Sequence, residues 1–113
     1  MNKKITVLLL KDAKNFIKNL PKEARDKVGK SIRKTQDRIN GNWFKKLDGE
    51  IWEFRIVYKE HYIRVLAFWD GTQKEETLIV CTSGFFKKTN KTPDNEIVQA
   101  KQERKIYFEE KTK

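Results

Sequence analysis

The densest concentration of functional side chains in the sequence is Phe85-Phe86-Lys87-Lys88-Thr89-Asn90-Lys91, a pair of aromatic rings followed at once by lysines. Ammonium groups beside exposed rings suit an unpaired nucleic-acid strand, because the cations engage phosphates and the rings stack on bases. Two arginines, Arg55 and Arg64, lie in β-patterned runs, and a guanidinium keeps its charge and can grip phosphate through two parallel hydrogen bonds. Each also has an ordinary reading: Arg55 could pair with Glu53 or Glu50 on the surface, and Arg64 could be a solvated strand residue. With one histidine, His61, and one cysteine, Cys81, the chain lacks the usual ligand set for zinc, a disulfide framework and a thiol–imidazole pair. His61 is expected in an exposed turn and Cys81 in a buried strand. No metal or cofactor is expected.

The 113 residues carry 26 Lys plus Arg against 16 Asp plus Glu, a formal charge of +10. Such a field attracts polyanions, of which nucleic acid is the commonest in the cytosol. A lysine-rich surface can equally serve solubility, so position must decide. The 3 Trp and 7 Phe argue against a disordered basic tail and for one small folded domain over residues 1–113. Apolar runs such as Val7 to Leu10 are far below the roughly 20 residues of a membrane span, and Met1-Asn2-Lys3-Lys4 leads into no signal-type core. A cytoplasmic protein without membrane contact is expected.

The elements that must position these groups follow from periodicity. Lys3 to Leu10 predicts a first, well-buried strand. Ala13, Phe16, Ile17 and Leu20 recur at helical spacing after a cap at Asp12, and Pro21 interrupts them. A second helix begins at Pro21, with a stripe of Ala24, Val28, Ile32, Thr35 and Ile39, and Asn40-Gly41-Asn42 stops it. From Trp43 the period becomes two. Ile51–Tyr58 and Tyr62–Trp69 predict a hairpin around Lys59-Glu60-His61, with one apolar and one polar face. Parity then brings Arg55 and Arg64 together on the polar face of adjacent strands. Thr77–Thr82 predicts a third meander strand ending at Ser83-Gly84, and Thr92-Pro93 opens a final helix. No second core is expected. The order is βαα, βββ, α.

Three segments resemble the RelE/ParE toxin superfamily, and within it a HigB-like, phage-derived branch. They are Leu47-Asp48-Gly49-Glu50-Ile51-Trp52-Glu53-Phe54-Arg55, then Tyr62-Ile63-Arg64-Val65-Leu66, then Gly84-Phe85-Phe86-Lys87-Lys88-Thr89-Asn90-Lys91-Thr92-Pro93. The resemblance spans nearly the whole chain. It implies an α+β fold, a small twisted antiparallel sheet with two N-terminal helices and a C-terminal helix. It also implies a type II toxin–antitoxin toxin that cleaves messenger RNA on the ribosome and is silenced by a cognate antitoxin, often a helix-turn-helix protein. A monomer or a toxin–antitoxin hetero-oligomer would follow. The position before Gly84, often histidine in that branch, is Ser83 here, so no histidine base comes with the likeness.

On that likeness, the catalytic set is Arg55, Arg64, Lys87 and Lys88. Metal-free RNA cleavage needs a 2′-hydroxyl proton removed, charge at phosphorus stabilised and the leaving 5′-oxygen protonated. Arg55 and Arg64 would clamp the scissile phosphate. Lys87 and Lys88, crowded by the arginines, would have lowered pKa values suited to proton transfer, or would simply contact flanking phosphates. Lys45, Lys46 and Lys91 would follow the RNA backbone, and Phe86 would stack on a base. Two other classes are alternatives: a ParE-like inhibitor that binds DNA gyrase, which shares the general fold but has no need of paired arginines beside a Lys-Lys-aromatic loop, and an RNA-binding module without catalysis.

Overall fold

The computed structural model describes residues 4–39, 41–88 and 91–112. The expected strand start at Lys3, Asn40 of the helix stop, and Thr89-Asn90 of the basic segment lie outside them. The elements run β1 (Lys4–Leu9), α1 (Lys11–Lys18), α2 (Lys22–Asp37), β2 (Phe44–Asp48), β3 (Ile51–Tyr58), β4 (His61–Asp70), β5 (Glu76–Lys87) and α3 (Asp94–Lys111). The class is α+β, with two N-terminal helices and one C-terminal helix, as expected. The five-stranded sheet has the order β1-β5-β4-β3-β2. It is mixed rather than wholly antiparallel, because β1 pairs with β5 in parallel while the other neighbours are antiparallel.

The additional strand is β2, Phe-Lys-Lys-Leu-Asp, whose lysines are exposed on a sheet edge and leave little alternation to detect. β1 is the opposite edge and only half-buried, because a single strand flanks it. α1 begins at Leu10 as N-cap, so Asp12 does not cap; it sits in the first turn, where an anion favours the helix dipole. α2 starts after Pro21 and ends at Asp37, earlier than its stripe suggests; Arg38 is already extended and Ile39 is exposed. Trp43 donates its indole N–H to the buried Thr35 hydroxyl at 2.8 Å, which ties the entry of β2 to α2.

Two cores flank the sheet. Beneath α1 and α2, Phe54, Ile56, Ile63, Val65, Ala67, Ile79 and Cys81 meet Ala13, Leu20, Ala24 and Val28. Phe16 of α1 lies against β5 at Gly84, where an added Cβ would come within 2.3 Å of the ring. On the other face, Ile51, Leu66, Phe68 and Val80 pack under Ala100, Tyr107 and Phe108 of α3. This second core corrects the expectation of one polar face: β4 is apolar at both parities from Val65 to Phe68, the mark of a strand covered on both sides. Asp70 anchors the far end of α3. Its carboxylate accepts from the Tyr107 hydroxyl (2.6 Å), the Thr72 hydroxyl (2.6 Å) and the Thr72 amide (2.9 Å), and Lys111 lies 3.0 Å away.

α3 leaves part of its face open, and one irregularity decides what stands there. The β4–β5 ladder pairs Leu66 with Ser83 but Ala67 with Cys81, so Thr82 is an extra residue in β5. The bulge reverses parity for the rest of β5. Phe85 and Lys87 therefore join Arg64 on the α3 face, and Gly84 and Phe86 turn to the α1–α2 face. β5 also continues to Lys87 instead of ending at Ser83-Gly84.

Candidate phosphate-binding cleft

Arg55 and Arg64 are direct cross-strand partners in the β3–β4 ladder. Like charges in that relation repel, and the pair persists because a carboxylate stands between them. Glu53, two residues before Arg55 and therefore on its face, places Oε1 3.0 Å from Arg64 Nε and 3.8 Å from Arg55 Nε. Its other oxygen accepts from the Thr92 hydroxyl at 3.3 Å. Arg64 is 4% exposed and also donates Nη1 to its neighbour's carbonyl, Ile63 O, at 3.1 Å. The two arginines thus differ in access: the Arg55 side chain is 38% exposed, and Arg64 forms the buried floor.

Lys87 completes the charge cluster from β5. Burial lowers its pKa from the ordinary lysine value, the Arg64 and Arg55 charges push it further down, and Glu53 partly opposes them. Arg64 is lowered too, chiefly by burial, with Glu53 opposing and Arg55 adding to the effect. Above these groups opens a cleft of about 280 Å³ lined by Lys45, Leu47, Glu53, Arg55, Lys87, Lys91 and Thr92. Glu53 is one anion against Arg55, Arg64 and Lys87, and at the rim Lys91 lies 3.6 Å from the Asp94 carboxylate. Such a site can accept an anionic oxygen, and it offers one amine whose proton is held less tightly than usual.

Of the residues singled out in the sequence, the structure brings Arg55, Lys87, Lys45 and Lys91 to one cleft and puts Arg64 beneath it. It does not bring Lys46, Lys88 or Phe86 there. Lys46 pairs with Trp52 on β3, which sets it on the opposite parity from Lys45. The bulge in β5 carries Phe86 to the helix face, 5.4 Å from the Phe16 ring and 5.7 Å from His61. Lys88 borders that same side. His61 opens β4 instead of sitting in the turn, which contracts to Lys59-Glu60 with Lys59 at φ 54°. Cys81 is buried, and burial pushes its thiol up to about 12.

Three participants escaped sequence reasoning. Glu53 figured there as an incidental ion-pair partner, although strand parity with Arg55 already put it on the site face. Tyr62, 53% exposed, lies opposite Lys87 in the ladder and two residues before Arg64, so it is the open aromatic on this face. Thr92, expected to cap the last helix, gives its hydroxyl to Glu53, and Pro93 takes the N-cap position. Among the described residues no group of three or more His, Cys, Asp or Glu could hold a metal ion. No helix among them is long and apolar enough to cross a membrane.

A family model described as "Phage derived protein Gp49-like (DUF891)" matches residues 15–105, a span that holds every lining residue of the cleft. No curated protein matches the chain significantly.

Proposed function

The chain belongs to the Gp49-like family of phage-derived proteins, which is related to the RelE/HigB-type toxins, and from this membership we propose that it is a ribosome-dependent messenger-RNA endoribonuclease of a type II toxin–antitoxin system. The observation that carries the reading is the charge imbalance of the cleft: the single carboxylate Glu53 faces Arg55, Arg64 and Lys87, and only Arg55 and Lys87 reach solvent. A scissile phosphate would take the place left by the missing second anion.

In this reading Arg55 binds the non-bridging oxygens and meets the charge that grows on them in the transition state. Arg64, held by Glu53, is a positioning residue that fixes the carboxylate and adds to the field from below. Lys87 in its neutral form takes the proton of the 2′-hydroxyl. The 2′-oxygen bonds to phosphorus, the bond to the 5′-oxygen breaks, and that oxygen leaves with a proton from water or a rim ammonium. The products are a cyclic phosphate and a free 5′-hydroxyl. The cations of the cleft supply the charge stabilisation in this step. Tyr62 replaces Phe86 as the ring that stacks on a base beside the cleft, and Lys45 and Lys91 hold flanking phosphates. The activity belongs in the cytoplasm, on messenger RNA at the ribosome, restrained by an antitoxin.

The test is translation in a purified cell-free system with message ends mapped by primer extension. New ends that require ribosomes, appear with wild type and vanish with Arg55→Ala and Lys87→Ala support the nuclease. Blocked translation with intact message removes catalysis and leaves an RNA- or ribosome-binding inhibitor. Untouched translation turns attention to DNA gyrase.

A further inference from the structure

The reversal of parity in β5 gives the molecule a second concavity, on the opposite side of the sheet from the cleft. It measures about 490 Å³ and is lined by Pro21, Tyr58, Lys59, His61, Phe86 and Lys88. The Phe86 ring is held edge-on between Phe16 and His61 and remains 42% exposed, a large apolar surface left to solvent. Tyr58 carries the Lys59 ammonium over its ring at 5.3 Å. Lys27 adds another cation nearby, donating to Val57 O at 3.1 Å. Rings that line a concavity while lysines rim it are the combination that holds a base by its face and its phosphate by charge.

We propose that this groove binds an unpaired nucleotide of the same RNA strand whose phosphate occupies the Arg55–Lys87 cleft. The inference rests on the proposed nuclease function. Continuity with the cleft selects the occupant. Lys87 and Lys88 are consecutive, yet one lines the cleft and the other the groove. A single strand passing over the Tyr62–Lys87 end of the β4–β5 pair would meet both lysines in turn. Lys59, Lys88 and the nearby Lys27 outnumber the Glu23 carboxylate, which accepts from the Tyr58 hydroxyl at 3.4 Å, and this excess of cations fits a nucleotide phosphate. The groove would thus add grip on the message away from the bond that breaks, and so set which nucleotides flank the cleavage position.

The experiment is an NMR titration of the full chain with a 2′-O-methyl RNA hexamer, which cannot be cleaved, and separately with a 2′-O-methyl dinucleotide. The hexamer is expected to shift signals of both Arg55/Lys87 and His61/Phe86/Lys88. The dinucleotide, too short to span both sites, is expected to bind about equally to wild type and to a His61→Ala/Lys88→Gln variant. That variant should bind the hexamer about tenfold more weakly. Both substitutions are at exposed side chains, and Phe86→Leu provides a second variant that keeps apolar bulk but removes the ring. Shifts confined to the cleft, or hexamer affinity unchanged in both variants, overturn the groove and leave the nuclease reading intact. Shifts confined to the groove overturn the cleft reading and with it the shared strand, and an absence of shifts overturns both. Preferential binding of an Asp- and Glu-rich apolar peptide at the groove, with no hexamer shifts there, overturns the RNA assignment.

Discussion

Two buried carboxylates stand on the same face of the sheet, and they differ in how their charge is closed. Asp70 receives three hydrogen bonds and an ion pair, all from its own turn and from α3. Together these hold its carboxyl well below the usual range, despite burial that acts the other way, while burial first and Asp70 second push the Tyr107 hydroxyl up. Glu53 is shared between two arginines of adjacent strands, with a lysine nearby whose charged form is disfavoured. One cluster is balanced and ties a helix to a strand. The other holds more cation than anion and opens into a cleft. A buried carboxylate does not by itself mark a site; uncompensated charge of the opposite sign around it does.

The contrast breaks most sharply at Glu53. Glu53→Gln leaves the buried Arg64 guanidinium without its counter-charge, and chemical denaturation should show a loss of about 3–5 kcal/mol; a change below about 1 kcal/mol would mean that the floor of the cleft is not organised by that pair. Arg55→Ala should separate activity from stability: roughly 10²–10³-fold slower message cleavage, with folding changed by no more than about 1 kcal/mol because the pair it breaks is partly exposed. At the closed cluster Tyr107→Phe removes a hydrogen bond to a charged acceptor and should cost about 1.5–3 kcal/mol of stability while the cleavage rate of the folded protein stays as it was. The same cluster gives a pH signature. Because the folded pKa of Asp70 is depressed, its contribution is complete above the unfolded value of about 3.9 and is lost as pH falls through the lower folded value. A thermal-melting series should lose its steepest acid limb in Asp70→Asn. Tyr62→Leu is the mildest, a roughly five- to tenfold loss in RNA affinity; an unchanged affinity would take Tyr62 out of the site.

The helices and the β3–β4 hairpin were legible because their apolar spacing is clean, and the Arg55–Arg64 juxtaposition followed from parity alone. β2 was not, since an edge strand of exposed lysines carries almost no period-two signal. Nor was the second core, because apolar residues at both parities of β4 do not say what covers them. The largest displacement came from Thr82. A bulge inserts one residue without any composition mark, so alternation counted from the third strand puts Phe86 on the open face when Lys87, Phe85 and Tyr62 share it. The imbalance around Glu53 was hidden for a related reason: it exists only once three strands have been laid side by side.

The parallel pairing of β1 with β5 carries a consequence for when the cleft is assembled. Residue 4 meets residue 76, and the strand it flanks is the one that delivers Lys87. Pairings so distant in sequence form late, after the chain ends between them have been brought together. The Thr92 hydroxyl that steadies Glu53 lies later still. During synthesis the cleft therefore stays unassembled until Thr92 has left the ribosome, well after β3 and β4 have delivered Glu53, Arg55 and Arg64.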